Sequence, residues 1–375
     1  MATAPKSTTA RTDWYQEITN QMILAMEKAI ADGSAWKKSW AGTWKYGLPL
    51  RACDVPFTGI NVWILAFASH RKGYVDPRWY TYNQAMEAVG YKRNPKWKGR
   101  NDTYKGIRKW EWVGEGEDPR HGVKKGETGT HVIRLSRYPI YHDRNGNRVY
   151  QPRKNAKAEQ RAAWAHKTAS GEYHIARYYV DISTYVVFNA EQISGLATPT
   201  KTETPVEERY LGAESVFACL PVEYDQMEGC DTAAYLPSQD RIVLPRPEQF
   251  ESQDHYWATA YHELIHWTGH ESRLDRTFGA SGTPEYAFEE LVAEMGSAFM
   301  CAHLELEGDL RHPEYLAAWV KRLRSDKKAV VRAATFAQKA MDFLLAGGRV
   351  ENLPVAGEDS DENDEGDDPV VEKAA

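Results

Sequence analysis

The chain has 375 residues, 42% of them hydrophobic, and a formal net charge of −6. That length suits two domains with tails, and no run approaches the roughly 18 apolar residues of a membrane span. Its four cysteines, Cys53, Cys219, Cys230 and Cys301, are scattered, which excludes a disulfide framework or a CxxC zinc knuckle and fits a reducing cytoplasm. The charge is unevenly placed: residues 1–195 hold 31 Lys and Arg against 18 Asp and Glu, and residues 196–375 hold 16 against 35. One half is basic and the other acidic, so different partners are expected for the two.

Residues 1–13 are polar and rich in Thr and Ala, without the apolar segment of a secretory signal, and are expected to be disordered. Trp14 to Ala31 has Ile18, Met22, Ala25, Met26 and Ala29 at helical spacing, with Gly33 beyond its end. A basic segment with Trp36, Trp40 and Trp44 follows, then a loop from Leu48 to Asn61 and a helix over Val62–Ser69. Trp79–Tyr82 reads as a short strand and Asn83–Val89 as a helix ending at Gly90. After the glycine-punctuated turn Gly122–Gly129, His131–Leu135 reads as a strand, Arg144–Asn147 as a hairpin turn and Arg177–Asn189 as another strand.

The first 195 residues contain 10 of the 13 Trp and 14 of the 21 Tyr, interleaved with cations. Such a surface suits single-stranded nucleic acid, because cations neutralise phosphates while aromatic faces stack on unpaired bases. The candidate contacts are Trp36, Lys37, Lys38, Trp40, Lys92, Arg93, Lys96, Trp97, Lys98, Arg108, Lys109, Trp110, Lys124 and Lys125. No helix-turn-helix, zinc finger or RNP motif is readable, so sequence-specific reading of a duplex is not indicated.

Residues 197–208 are rich in Thr and Pro and read as a linker between a first domain (14–196) and a second (209–349). In the second, Asp240–Pro245 reads as an edge strand, and the apolar run Trp257–Trp267 encloses His262-Glu263-Leu264-Ile265-His266. Residues four apart share one face of a helix, so both imidazoles can reach one metal ion with Glu263 beside the open position where water binds. This is the HExxH arrangement of zinc peptidases, with the Glu as general base. A third ligand is expected from a following helix. Glu290, 24 residues after His266, shares a face with Glu294, which would then orient a ligand His from behind. Glu289 competes but points about 100° away. Ser325–Leu345 reads as a closing helix, and residues 350–375 as a disordered acidic tail.

Several stretches resemble the ArdC-type antirestriction proteins of plasmids and phages, whose N-terminal domain is shared with TraC-type plasmid primases. They are Trp14–Thr19, Leu48–Arg51, Phe57–Asn61, Arg78–Gln84, Val123–Gly129, Val187–Gln192, Tyr261–His270 and Glu289–Glu294. The resemblance implies a domain binding single-stranded DNA, followed by a zincin-like metallopeptidase domain that holds Zn(2+) through His262, His266 and Glu290. It also implies protection of incoming DNA from host restriction, with a protein of the host restriction system as candidate substrate. The fold class expected is α+β: a mixed N-terminal domain with a small sheet, and a mainly helical zincin-like domain. His270, Tyr286, His303, His312 and Tyr315 are candidates to stabilise a tetrahedral oxyanion. Two other readings are a non-enzymatic protein that coats single-stranded DNA around a structural zinc, and a DNA-targeted metallopeptidase effector.

Overall fold

Helix α1 (Trp14–Asp32) buries Ile18, Met22 and Met26, one turn apart on one face, as its sequence pattern requires. The computed structural model describes residues 13–32, 47–99, 108–152, 156–197, 204–227, 229, 232–306 and 316–349. They fall into two compact units, one made of the chain up to Thr130 and from Val186 onward, the other of His131–Tyr185. No described helix is long and apolar enough to cross a membrane.

In the larger unit, β1 (Leu50–Arg51) is followed by α2 (Ile60–Lys72), β2 (Arg78–Thr81) and α3 (Tyr82–Ala88). Helix α3 begins where Thr81 Oγ1 accepts from Gln84 N and Gln84 Oε1 accepts from Thr81 N, a reciprocal cap that satisfies two otherwise orphaned donors. Strands β3 (Tyr91–Arg93) and β4 (Trp110–Trp112) then pair antiparallel, with Arg93 opposite Trp110. After β5 (Gly122–Val123), the chain enters the long strand β6 (Thr130–Asp143), turns into β7 (Arg148–Val149), forms α4 (Ala158–Ala169) and returns along β8 (Tyr173–Asn189). The end of β8 pairs antiparallel with β2, Trp79 opposite Asn189, and β9 (Ile193–Ser194) pairs with β5. Around this sheet edge Tyr80, Ala85, Met86, Val89, Tyr91, Ala190 and Ile193 form one core.

Helix α5 (Val206–Ala218) leads to β10 (Glu223–Met227), β11 (Ala234–Leu236) and β12 (Arg241–Pro245), a sheet in the order β10-β12-β11. Among the described residues four helices follow: α6 (Gln253–Thr268), α7 (Pro284–His303), α8 (Leu316–Ser325) and α9 (Ala329–Leu345). The α+β class stands. Three local expectations change. Strand β12 is central rather than an edge, because β10 pairs with it in parallel and β11 antiparallel; the edge next to the motif helix is β11. Strands β6 and β8 are far longer than the apolar stretches that announced them, since pairing with each other sustains them beyond those stretches. Helix α4, polar and without a buried residue, carried no apolar stripe to reveal it.

The N-terminal and C-terminal parts of the larger unit interlock. Thr19 Oγ1 donates to Lys327 O at 2.8 Å, Gly59 N donates to Gln338 Oε1 at 3.0 Å, and the Trp63 and Phe299 rings lie 6.1 Å apart. Lys327 and Asp13, and Arg324 and Glu27, form ion pairs at the same junction.

Candidate metal centre and nucleic-acid contacts

Ser252 caps α6, its Oγ accepting from His255 N at 3.2 Å, and from Ala258 to Thr268 every residue is buried. Helix α7 starts at Pro284 behind the Thr283 cap. The two helices approach closely because residue 296 is glycine: a Cβ there would stand 2.7 Å from Ile265 Cδ1. Ser297 Oγ, donating to Ala258 O at 2.8 Å, ties the crossing in register.

This crossing brings His262, His266 and Glu290 together, one ligand atom of each lying within 4.8 Å of the others. The two Nε2 atoms are 3.2 Å apart, with Glu290 oxygens 3.6 Å from His262 Nε2 and 3.5 Å from His266 Nε2. All three are buried. Two imidazoles and a carboxylate converging through these atoms are a donor set for a divalent cation. Glu263 sits beside them, and its Oε2 accepts from Tyr235 N of β11 at 2.7 Å. The strand edge therefore anchors one oxygen of this carboxylate. Strand β11 is held in turn by Asp240, which accepts from Tyr235 OH at 2.9 Å and from Arg273 Nη1 at 2.9 Å. Arg273 Nε donates to Trp267 O at 2.7 Å.

Behind the cluster, Glu294 Oε1 lies 3.9 Å from His262 Nδ1 and Glu289 Oε1 lies 3.2 Å from His266 Nδ1. Glu289, weighed on sequence only as a competing ligand, is thus the carboxylate against His266. Buried Arg276 grips it: Nη2 donates to Oε1 at 2.7 Å and Nε to Oε2 at 3.0 Å, while Nη1 reaches Thr268 Oγ1 at 2.8 Å. Gly269 makes room for that guanidinium, since a Cβ there would lie 2.8 Å from Arg276 Nη2. Sequence reading missed Arg276 because it lies in the loop between the two helices, where no period applies. The 100° offset of Glu289 from Glu290 was the available signal, placing adjacent carboxylates on two sides of one histidine.

The electrostatics follow from this packing. Burial opposes a charge on His266, but its contacts with Glu289 and Glu290 prevail and raise its pKa to about 10. Burial opposes the charge of His262 as well, and Glu290 and Glu294 raise it nonetheless. Burial would raise Glu290 and Glu289; the two imidazoles hold Glu290 below the usual carboxylate range, and His266 with Arg276 does the same for Glu289.

Residues 213–336 match a family described as zincin-like metallopeptidase, and residues 12–188 match the N-terminal domain of anti-restriction factor ArdC. The chain belongs to the ArdC-type family. The crystal structure of the antirestriction ArdC protein from plasmid R388 in metal-free form superposes with a TM-score of 0.60 at 29% identity, over 90% of this chain and 98% of that one. Its Mn(II)-bound structure gives 0.59 at 28%, over 90% and 99%. A DNA primase TraC from Escherichia coli is 33% identical over 340 residues, 89% of this chain but 27% of the primase. An uncharacterised protein of Sinorhizobium fredii is 28% identical over 342 residues, 89% of this chain and 92% of that protein. The chain thus spans about a quarter of the length of the TraC relative and nearly all of the other two proteins.

Of the ArdC-type chain's expected DNA contacts, the β3–β4 ribbon gathers several. Arg93 and Lys109 stand over the Trp97 ring at 5.8 and 5.0 Å, and Lys109 is 6.0 Å from the Trp110 ring. Lys92, Lys96, Lys98, Arg108 and Lys125 are exposed; Arg108 lies 3.9 Å from Asp118. Lys124 Nζ donates to Glu191 O at 2.8 Å, and Trp110 packs on the sheet-edge core. Trp36, Lys37, Lys38 and Trp40 lie outside the described residues, as do His312 and Tyr315. His303 is at the far end of α7, roughly 20 Å from Glu290 at 1.5 Å per residue. His270 follows α6 and its Nδ1 is 2.8 Å from Ser272 Oγ. Tyr286 is one turn before Glu290 on the same face.

Proposed function

We propose that this chain is a metal-dependent peptidase joined to a single-stranded-DNA-binding segment, and that it protects incoming DNA from host restriction. The observation carrying the catalytic half is the convergence of His262 Nε2, His266 Nε2 and Glu290 beside a Glu263 carboxylate anchored at one oxygen by Tyr235 N. In this reading residues 209–349 form the peptidase domain and residues 14–196 the DNA-binding domain.

His262, His266 and Glu290 would hold Zn(2+), which when bound supplies Lewis acidity and lowers the pKa of water toward neutrality. Glu263, with Oε2 fixed by the strand, presents Oε1 to the attacking water and takes its proton as the water oxygen bonds to the scissile carbonyl carbon. The same carboxyl returns that proton to the amine nitrogen as the C–N bond breaks. Arg276 and Glu289 fix the tautomer and the orientation of His266. Tyr286 is the donor best placed to meet a developing oxyanion, sharing the face of Glu290.

Antirestriction is supported by the family and by the plasmid R388 neighbour. The DNA-binding half is supported by the Arg93–Trp97–Lys109 stack and by the likeness to a primase. The test is elemental analysis and a transfer assay on wild type, His262→Ala and Glu263→Gln. About one zinc per wild-type chain, lost in His262→Ala and kept in Glu263→Gln, is expected. Protection that persists in Glu263→Gln would overturn the peptidase role and leave a DNA-coating protein with a structural metal.

A further inference from the structure

The unit His131–Tyr185 has little interior of its own: among its described residues only Val132, Ile133 and Ile140 are buried. It is also basic, with ten Lys and Arg against four Asp and Glu, and it carries seven of the 21 tyrosines. Helix α4 covers one face of its ribbon through Trp164, whose ring lies 5.2 Å from Tyr141 and 5.0 Å from Tyr173. Side chains alternate along a strand. Tyr138, three residues from Tyr141, and Tyr178, five from Tyr173, therefore lie on the opposite face. Both are open to solvent, at 54% and 57% exposure. Tyr150, just past β7, is 74% exposed with the Arg148 guanidinium 4.9 Å from its ring.

We infer that this ribbon is a second single-strand-binding surface, in addition to the β3–β4 ribbon, on which unpaired bases stack on Tyr138, Tyr150 and Tyr178 while Arg148, opposite His142 and so on the Tyr138 face, neutralises phosphate. Three observations carry it. Large aromatic rings left in water on a face with no core behind it have no packing role to explain them. The Arg148 guanidinium beside the Tyr150 ring suits a phosphate backbone. Base stacking on tyrosine needs no sequence and requires unpaired bases, matching the scattered rather than pocketed arrangement. The inference rests on the reading that the chain engages single-stranded DNA, and adds where it does so. The other partner this unit could take is a peptide strand, because β2 pairs β8 only at residues 187–189 and no other described strand lies on that side of Tyr173–Val186.

The experiment is fluorescence anisotropy of a labelled oligo-dT titrated with the full chain at several salt concentrations. The triple variant Tyr138→Ala, Tyr150→Ala, Tyr178→Ala is expected to weaken binding at least about tenfold, given the strength of base–aromatic stacking. Arg148→Glu should lower the slope of log affinity against log salt by about one. Circular dichroism checks the fold, which these exposed sites should not alter. Wild-type binding that the triple variant retains within about twofold overturns the second surface while leaving the DNA reading intact. No wild-type binding overturns both.

Discussion

Arg276 and Glu289 form a two-pronged ion pair in which both side chains are 4% exposed, and the carboxylate it fixes faces His266 Nδ1 at 3.2 Å. Removing the guanidinium in Arg276→Met leaves a buried carboxylate beside His266 alone, a loss expected to cost about 3–5 kcal/mol. Glu289→Gln removes the charge more gently and should weaken metal binding about 10- to 100-fold with the fold kept. Thermal unfolding and calorimetric zinc titration measure the two effects. Unchanged zinc affinity in Glu289→Gln would show that Glu294 alone orients the site.

Metal uptake should release protons. His266 is raised to about 10 in the metal-free chain, yet only its neutral form can bind a cation. Affinity should therefore climb with pH from neutrality toward about 10. Near pH 7.5, calorimetry in two buffers of different ionisation enthalpy should show release of about one proton or more.

The same shift sets the stability of the metal-free chain. A raised histidine contributes fully below its unfolded pKa of about 6.5 and loses its contribution as pH rises through the folded value of about 10. Glu289 and Glu290, both lowered, contribute above the ordinary carboxylate range and stay constant across that window. The midpoint of unfolding should fall between about pH 6.5 and 10 without metal and change less with zinc present. Denaturant titrations at three pH values would show this, and a metal-free midpoint rising with pH would refute it.

Gly296→Val tests the helix crossing. Its added atoms would push on Ile265, which is fully buried, and should destabilise the chain by about 1–3 kcal/mol. Zinc affinity should fall with it, because Glu290 rides on the displaced helix. A variant as stable as wild type would mean that α6 and α7 tolerate separation.

On the β3–β4 ribbon, Trp97→Ala is expected to weaken oligonucleotide binding about tenfold, and Lys109→Ala to lower the salt slope by about one. Neither should alter zinc content, measured on the same preparations.

What the sequence determined alone is what helical and strand periods encode. His262 and His266 share a face because they are four apart, Glu290 and Glu294 for the same reason, and the apolar run around the first pair announces a buried helix. The basic, aromatic character of the first half is likewise compositional. Tertiary structure decided the rest, because it depends on which segments meet across long separations. The N–H of Tyr235 finds Glu263 only when β11 pairs with β12, and Arg276 finds Glu289 only when a loop folds back under α7. The ribbon of His131–Tyr185 was hidden for a related reason: its strands owe their length to each other, and composition could not separate its exposed tyrosines from its packed ones. Local periodicity reports which side of an element is apolar, but not what lies opposite, and the partners of a buried charge are set by what lies opposite.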